Sequence, residues 1–193
     1  LPANAIISSD IGNNCAIGNA YPTFEEGRKY LAPGLFGPCG YGLPSIIGAK
    51  IACPEVPVVG FSGDGAFGIC MNEMTAVGRD DWPAITMVVF RNYQWGAEKR
   101  NTTLWYDNNF VGTELNRNVS YAGIAKACGV EGIVVSTQEE LKTAVESSCK
   151  AQADGLTTFI EVILNQELGE PFRRDAMKAP EIVAGIEPAD MQP

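Results

Sequence analysis

Short apolar runs alternate with stretches of helical spacing along most of this chain. Ala5-Ile6-Ile7-Ser8-Ser9 reads as a strand. Gly42 to Cys53 places apolar residues at helical spacing and stops before Pro54. Val56 to Phe61 is a second strand ending in a glycine turn, and Ile69 to Val77 a helix broken beyond its end by Pro83. Ile85 to Phe90 is a continuous β-rich apolar run, the pattern of a strand buried on both faces. Tyr121 to Cys128 predicts a helix closed by Gly129, and Gly132 to Val135 a strand. A further helix opens at Ser136, with Ser136 and Glu139 spaced as a capping box and Leu141, Ala144, Val145 and Ser148 on one face. Thr158 to Ile163 is the last strand. This alternation predicts an α/β fold of three layers, a mostly parallel sheet with helices on both faces, with ligands at the carboxyl ends of its strands.

Two stretches break the rhythm. Residues 97–118 are polar, and a connection that long is usually functional or folds into local helix. Beyond Asn165 no period remains. The expected division is a domain over 1–165 and an extended arm over 166–193.

The chain has 193 residues, 46% hydrophobic and only 19% charged. That is enough apolar material for one sizeable core, and so little charge suggests surface buried against other domains or subunits. A net charge of −9 argues against a nucleic-acid partner or an anionic membrane surface. An anionic ligand remains compatible with it, since local N–H groups and a metal ion outweigh global charge. The six cysteines (15, 39, 53, 70, 128, 149) form no CxxC pair and read as reduced, mostly buried thiols of a cytoplasmic protein. There is no histidine, so zinc sites and Ser-His-Asp or Cys-His devices are not expected from this chain alone. No apolar run is long enough to span a membrane, and Leu1-Pro2-Ala3-Asn4 has no basic region of a signal peptide. It reads as a chain entered in mid-sequence.

The chemistry centres on Phe61-Ser62-Gly63-Asp64-Gly65-Ala66-Phe67, a buried strand running through Gly-Asp-Gly into a helix. Gly65 and Ala66 can offer backbone N–H groups to phosphate, and Asp64 a carboxylate oxygen to a hard cation. The next strand ends at Arg91-Asn92, which sets Asn92 in the same crevice one strand–helix–strand unit later, with a carbonyl of Tyr93-Gln94 beside it. Either feature alone is equally an ordinary strand-end turn or cap. Together they point to Mg²⁺ and a diphosphate.

Gly-Asp-Gly, then residues 66–91, then Asn92 resembles the motif of thiamine-diphosphate enzymes such as acetolactate synthases and pyruvate decarboxylases. The resemblance implies Asp64, Asn92 and the main-chain carbonyl of Gln94 as magnesium ligands. The usual tandem asparagines are reduced to one, with Arg91 in place of the first. Gly37-Pro38-Cys39-Gly40-Tyr41-Gly42-Leu43-Pro44 is similar to a second stretch of that superfamily. It implies that the Gly37 carbonyl takes the cofactor's 4′-amino group and that Cys39 stands where an apolar residue props the cofactor. Gly12-Asn13-Asn14 resembles the early loop that touches the diphosphate, adding Asn13 and Asn14 to Gly63, Asp64, Gly65 and Ala66.

The longer runs Arg91 to Asn101 and Gly169 to Lys178 resemble the sulfoacetaldehyde acetyltransferases, and that likeness extends from about Ser9 to about Asp190. The family implies that sulfoacetaldehyde and phosphate become acetyl phosphate and sulfite. Two anions must then be met beside the diphosphate, with Lys99, Arg100, Arg173, Arg174 and Lys178 as candidates. It also implies missing N-terminal domains, a homo-oligomer (dimer or tetramer), and an activating glutamate from a partner subunit's other domain. This chain alone is then inactive. The competing readings are a 2-oxo-acid decarboxylase or acetolactate synthase, a non-catalytic domain of the same fold, and a nicotinamide-binding domain. The last lacks its GxGxxG turn.

Overall fold

The computed structural model describes residues 1–168 except 25, 26, 28 and 35. The candidates Arg173, Arg174 and Lys178, and nearly all of the expected arm, lie outside the described residues. Among the described residues six strands form one all-parallel sheet in the order β2-β1-β3-β4-β6-β5. They are β1 (Ile6–Ser9), β2 (Tyr30–Leu31), β3 (Val58–Gly63), β4 (Thr86–Arg91), β5 (Glu131–Val135) and β6 (Thr158–Ile163). The helices are α1 (Asn13–Ala20), α2 (Gly42–Ala52), α3 (Asp64–Cys70), α4 (Met74–Val77), α5 (Gly96–Trp105), α6 (Tyr121–Ala127) and α7 (Gln138–Ala153).

Successive side chains of the central strands go to opposite faces, and both faces are covered. Val58, Met87, Val89 and Phe159 pack with Leu43, Ile46, Phe67, Met74 and Ala125 on one side. Val59, Val88 and Ile160 pack with Ala144, Leu141 and Val145 of α7 on the other. The three-layer α/β expectation therefore holds. At the amino end of the sheet Gln152 of α7 is buried and bonds both the N–H and the carbonyl of Val58 (2.8 and 2.9 Å) and Thr86 Oγ1 (3.0 Å). An α7 amide thus pins the register of β3 against β4.

Several local expectations shift. The capping box lies one residue later: Thr137 Oγ1 accepts from Glu140 N, and Glu140 in return accepts from Thr137 N and Ser136 N. The helix expected at Ile69 begins already at Asp64 and is interrupted by a 3-10 turn, Met71–Glu73, before α4. Asn13 and Asn14 open a helix rather than a loop, and the polar stretch 97–118 begins as α5 and continues beyond Trp105 without a helix or strand. All six cysteines are free, but only Cys15 and Cys70 are fully buried, and Cys39 is exposed. No helix among the described residues is long and apolar enough to cross a membrane. Large apolar side chains stand in the open, among them Phe36 (94% exposed) and Val111 (80%).

Candidate functional site

The order in which strands are added reverses between the parallel neighbours β1 and β3: β1 connects to β2 on one side, and β3 to β4 on the other. In a parallel sheet the loops leaving two such strands diverge and open a crevice at their carboxyl ends. Here that crevice is a cleft of about 1000 Å³. Its walls include all ten residues expected to touch a cofactor: Asn13, Asn14, Gly37, Cys39, Gly63, Asp64, Gly65, Ala66, Asn92 and Gln94.

Asp64 leaves the end of β3 and is 2% exposed. Its Oδ1 accepts from its neighbour Gly65 N (3.0 Å) and its Oδ2 from Tyr93 N (2.7 Å). Burial, opposed by these N–H bonds and by Arg91, raises its pKa to about 6. Gly65 N–H is thus spent on Asp64, and of the two amides expected to face phosphate only that of Ala66 is not committed to it. Gly65 has a second duty: a Cβ there would lie 2.7–2.9 Å from the Trp95 ring, which also lines the cleft. Gly96 likewise makes room, because its Cβ would meet the side-chain amides of Asn92 and Asn13 at 3.1 and 3.3 Å. Beside them Gln94 Oε1 is buried without a hydrogen-bond partner, while its Nε2 donates to Gln166 O (2.9 Å).

These groups fit a magnesium–diphosphate ligand. A buried carboxylate short of countercharge, a nearby amide and an unmet buried oxygen are hard oxygen donors, and Mg²⁺ takes one or two carboxylates with phosphate and water oxygens completing its shell. No cluster of three His, Cys, Asp or Glu side chains exists among the described residues. Such a metal would therefore lean on its ligand's phosphates.

The remaining candidates divide. Cys39 sits at the cleft, and burial first, then the Asp10 and Glu98 carboxylates, push its thiol pKa up, so it presents a neutral, weakly polar surface. Arg100 lines the cleft; its Nη2 donates to Leu168 O, and its Nε is buried with no partner. Lys99 does not line the cleft: it pairs with Glu114 and lies over Phe110.

Three features escaped the sequence reading. Asp10, fully buried just past β1, accepts from Ile11 N (2.9 Å), Gly40 N (3.0 Å) and Gly42 N (2.8 Å). It ties the Gly37-to-Gly42 loop, which turns through positive φ at Gly37 and Gly40, onto the strand end. Its signal was present as an acid at the end of an expected strand, the same signal as Asp64. Arg91 and Glu161 form a buried ion pair, 4% and 1% exposed. Glu161 also accepts from Ser120 Oγ (3.0 Å) and Ala122 N (2.9 Å) at the start of α6. One cation and one anion inside two apolar strands were the available clue. Tyr93 adopts a left-handed conformation, φ 61°, which its sequence does not announce.

Residues 10–162 match the family model of the thiamine pyrophosphate enzyme C-terminal TPP binding domain. The chain is 74% identical over 192 residues to a probable sulfoacetaldehyde acetyltransferase of Rhizobium meliloti, covering all of this chain and 32% of that protein. It is 75% identical over 193 residues to a sulfoacetaldehyde acetyltransferase of Rhodobacter capsulatus, all of this chain and 33% of that one. A protein of the same name from Alcaligenes xylosoxydans is 46% identical over 93% of the chain and 30% of its own length. The chain thus spans about a third of the length of these relatives. Among solved structures, a thiamine diphosphate-dependent 4-hydroxybenzoylformate decarboxylase of Rhodococcus jostii shares the fold. Its TM-score is 0.77 at 24% identity, over 87% of this chain and 31% of that one.

Proposed function

The chain belongs to the thiamine pyrophosphate enzymes as their C-terminal TPP-binding domain, and from that premise we propose that it is the diphosphate- and magnesium-holding part of an acyltransferase turning sulfoacetaldehyde and phosphate into acetyl phosphate and sulfite. The convergence of the ten candidate residues in one cleft around the buried Asp64 carries the cofactor reading. The choice of reaction is supported by the name shared by relatives 74–75% identical over the whole chain.

When bound, thiamine diphosphate supplies the nucleophilic carbon and the electron sink. The chain's own residues bind and orient. Asp64, Asn92 and the Gln94 main-chain carbonyl would hold the metal, and Ala66 with Asn13 and Asn14 would face the diphosphate, Asn14 through its main chain because its side-chain amide donates to Ser9 Oγ and the Asp10 carbonyl. Gly37 and Cys39 shape the wall against which the cofactor rests. Arg100, a cleft residue whose buried Nε has no partner, is the described cation best placed for a sulfonate or phosphate oxygen. The activating glutamate belongs to a part of the enzyme beyond this domain.

The test is product analysis. The full-length protein with thiamine diphosphate and Mg²⁺ should form acetyl phosphate and sulfite from sulfoacetaldehyde and phosphate, and the 193-residue chain alone should form neither. Carbon dioxide from 2-oxo acids without acetyl phosphate would refute the reaction. Turnover by the chain alone would refute the need for another domain.

A further inference from the structure

The segment after β4 must bring two groups to the cleft at once: the Asn92 side chain and the N–H of Tyr93, which bonds Asp64 Oδ2 at 2.7 Å. It does so by putting Tyr93 at φ 61°, a conformation that a bulky L-residue resists and that persists only where its surroundings impose it. The surroundings are cationic. The Arg91 guanidinium lies 4.6 Å from the Tyr93 ring centroid and that of Arg117 5.4 Å.

Both cations are themselves held. Arg91 is buried against Glu161 and donates to the Arg117 carbonyl (3.1 Å), so one guanidinium fixes the backbone from which the other reaches. Arg117 Nη2 donates to Gln166 Oε1 (2.7 Å), and the Tyr93 carbonyl accepts from Leu115 N (2.9 Å). The tyrosine is thus held at its ring by two guanidinium groups, at its carbonyl by Leu115 N and at its N–H by Asp64.

We propose that Arg91 and Arg117 clamp the Tyr93 ring and thereby position Asp64 and Asn92, the carboxylate and amide assigned above to the metal. The inference rests on that metal reading. Without the ring contacts residue 93 relaxes to negative φ, the 92–93 peptide turns, and its N–H leaves Asp64. An unoriented carboxylate beside a displaced Asn92 binds a cation that demands near-ideal octahedral geometry poorly. Arg91, standing where related motifs carry an asparagine, is then a positioning residue that acts through Tyr93.

The experiment measures Mn²⁺ dissociation constants by electron paramagnetic resonance, in the full-length protein saturated with thiamine diphosphate. Tyr93→Val should weaken Mn²⁺ by about tenfold or more, since a β-branched residue resists positive φ. Tyr93→Gly should recover most of that loss, because glycine accepts φ 61° without a clamp. Arg117→Gln changes an exposed residue, so folding is not at stake, and it should weaken Mn²⁺ about two- to fivefold, the range of one exposed cation–π contact. Loss of binding in Asp64→Ala together with this ordering supports the clamp. Loss in Asp64→Ala with wild-type affinity in Tyr93→Val and Arg117→Gln, or with Gly no tighter than Val, overturns the clamp alone. Unchanged binding in Asp64→Ala overturns the metal reading and the clamp with it.

Discussion

Asp64 makes the cofactor-free protein sensitive to pH in an unusual direction. An unfolded aspartate titrates near 3.8, and the folded one near 6 because burial disfavours its anion. As pH rises from about 4 to about 6, the unfolded chain releases a proton that the folded chain keeps. Stability is therefore greatest below the unfolded pKa and falls until the folded pKa is passed. Two units at about 1.4 kcal/mol each give a ceiling of about 3 kcal/mol. Asp64 is almost wholly buried, so a loss of about 1–3 kcal/mol is expected within that ceiling. Asp64→Asn removes this slope and introduces a constant penalty of about 1 kcal/mol, because one amide oxygen must serve the N–H groups of both Gly65 and Tyr93. Urea unfolding of both proteins in EDTA from pH 4 to 8 isolates the effect, since all other groups cancel in the difference. The variant should be the less stable at pH 4 and should equal or exceed the wild type at pH 7.5. A difference that does not change with pH, or one that tilts the other way as for a salt-bridged carboxylate, refutes the reasoning. Saturating Mg²⁺ with thiamine diphosphate should reverse the slope, because the metal takes the ionised form.

Arg91→Met should cost about 3–5 kcal/mol in urea unfolding, because it strands Glu161 at 1% exposure. Adding Glu161→Leu should restore only part of this, since Ser120 Oγ and Ala122 N then lose their acceptor. Gly65→Ala should cost about 1–3 kcal/mol and shrink the rise in Tm given by thiamine diphosphate with Mg²⁺, as its Cβ displaces the Trp95 ring in the cleft. Gly78→Ala should cost more than about 4 kcal/mol or prevent folding, because its Cβ would fall 1.7 Å from the Cys128 carbonyl oxygen with backbone on both sides; circular dichroism and expression level check it.

Much of this architecture was legible in the hydrophobic pattern because the central strands are buried on both faces. Thr158 to Ile163 is identical in sequence expectation and structure, and the Asp64-to-Asn92 spacing located the cleft. Local hydrogen bonding was harder to read. Ser136 and Thr137 are both competent caps, and which one serves depends on where Glu140 can reach back, so the expected box landed one residue early. β2 is two residues long and carries no period. The roles of Arg91 and Glu161 depend on partners 25 to 70 positions away, and no local pattern encodes them. Lys99 and Arg100 are adjacent in sequence with the same charge, and only the turn of α5 sends one to Glu114 and the other to the cleft.

The three N–H groups gathered on Asp10 bear on the speed of cofactor capture. A loop that must be ordered by its ligand charges that entropy against binding and slows productive encounters. The loop bearing Gly37 and Cys39 is instead moored to the end of β1 by a carboxylate already holding Gly40 and Gly42. On the proposed reading the cofactor's ring would meet a wall set in advance, and reconstitution of the apo-protein should be limited by the arrival of its ligands rather than by the shaping of this loop.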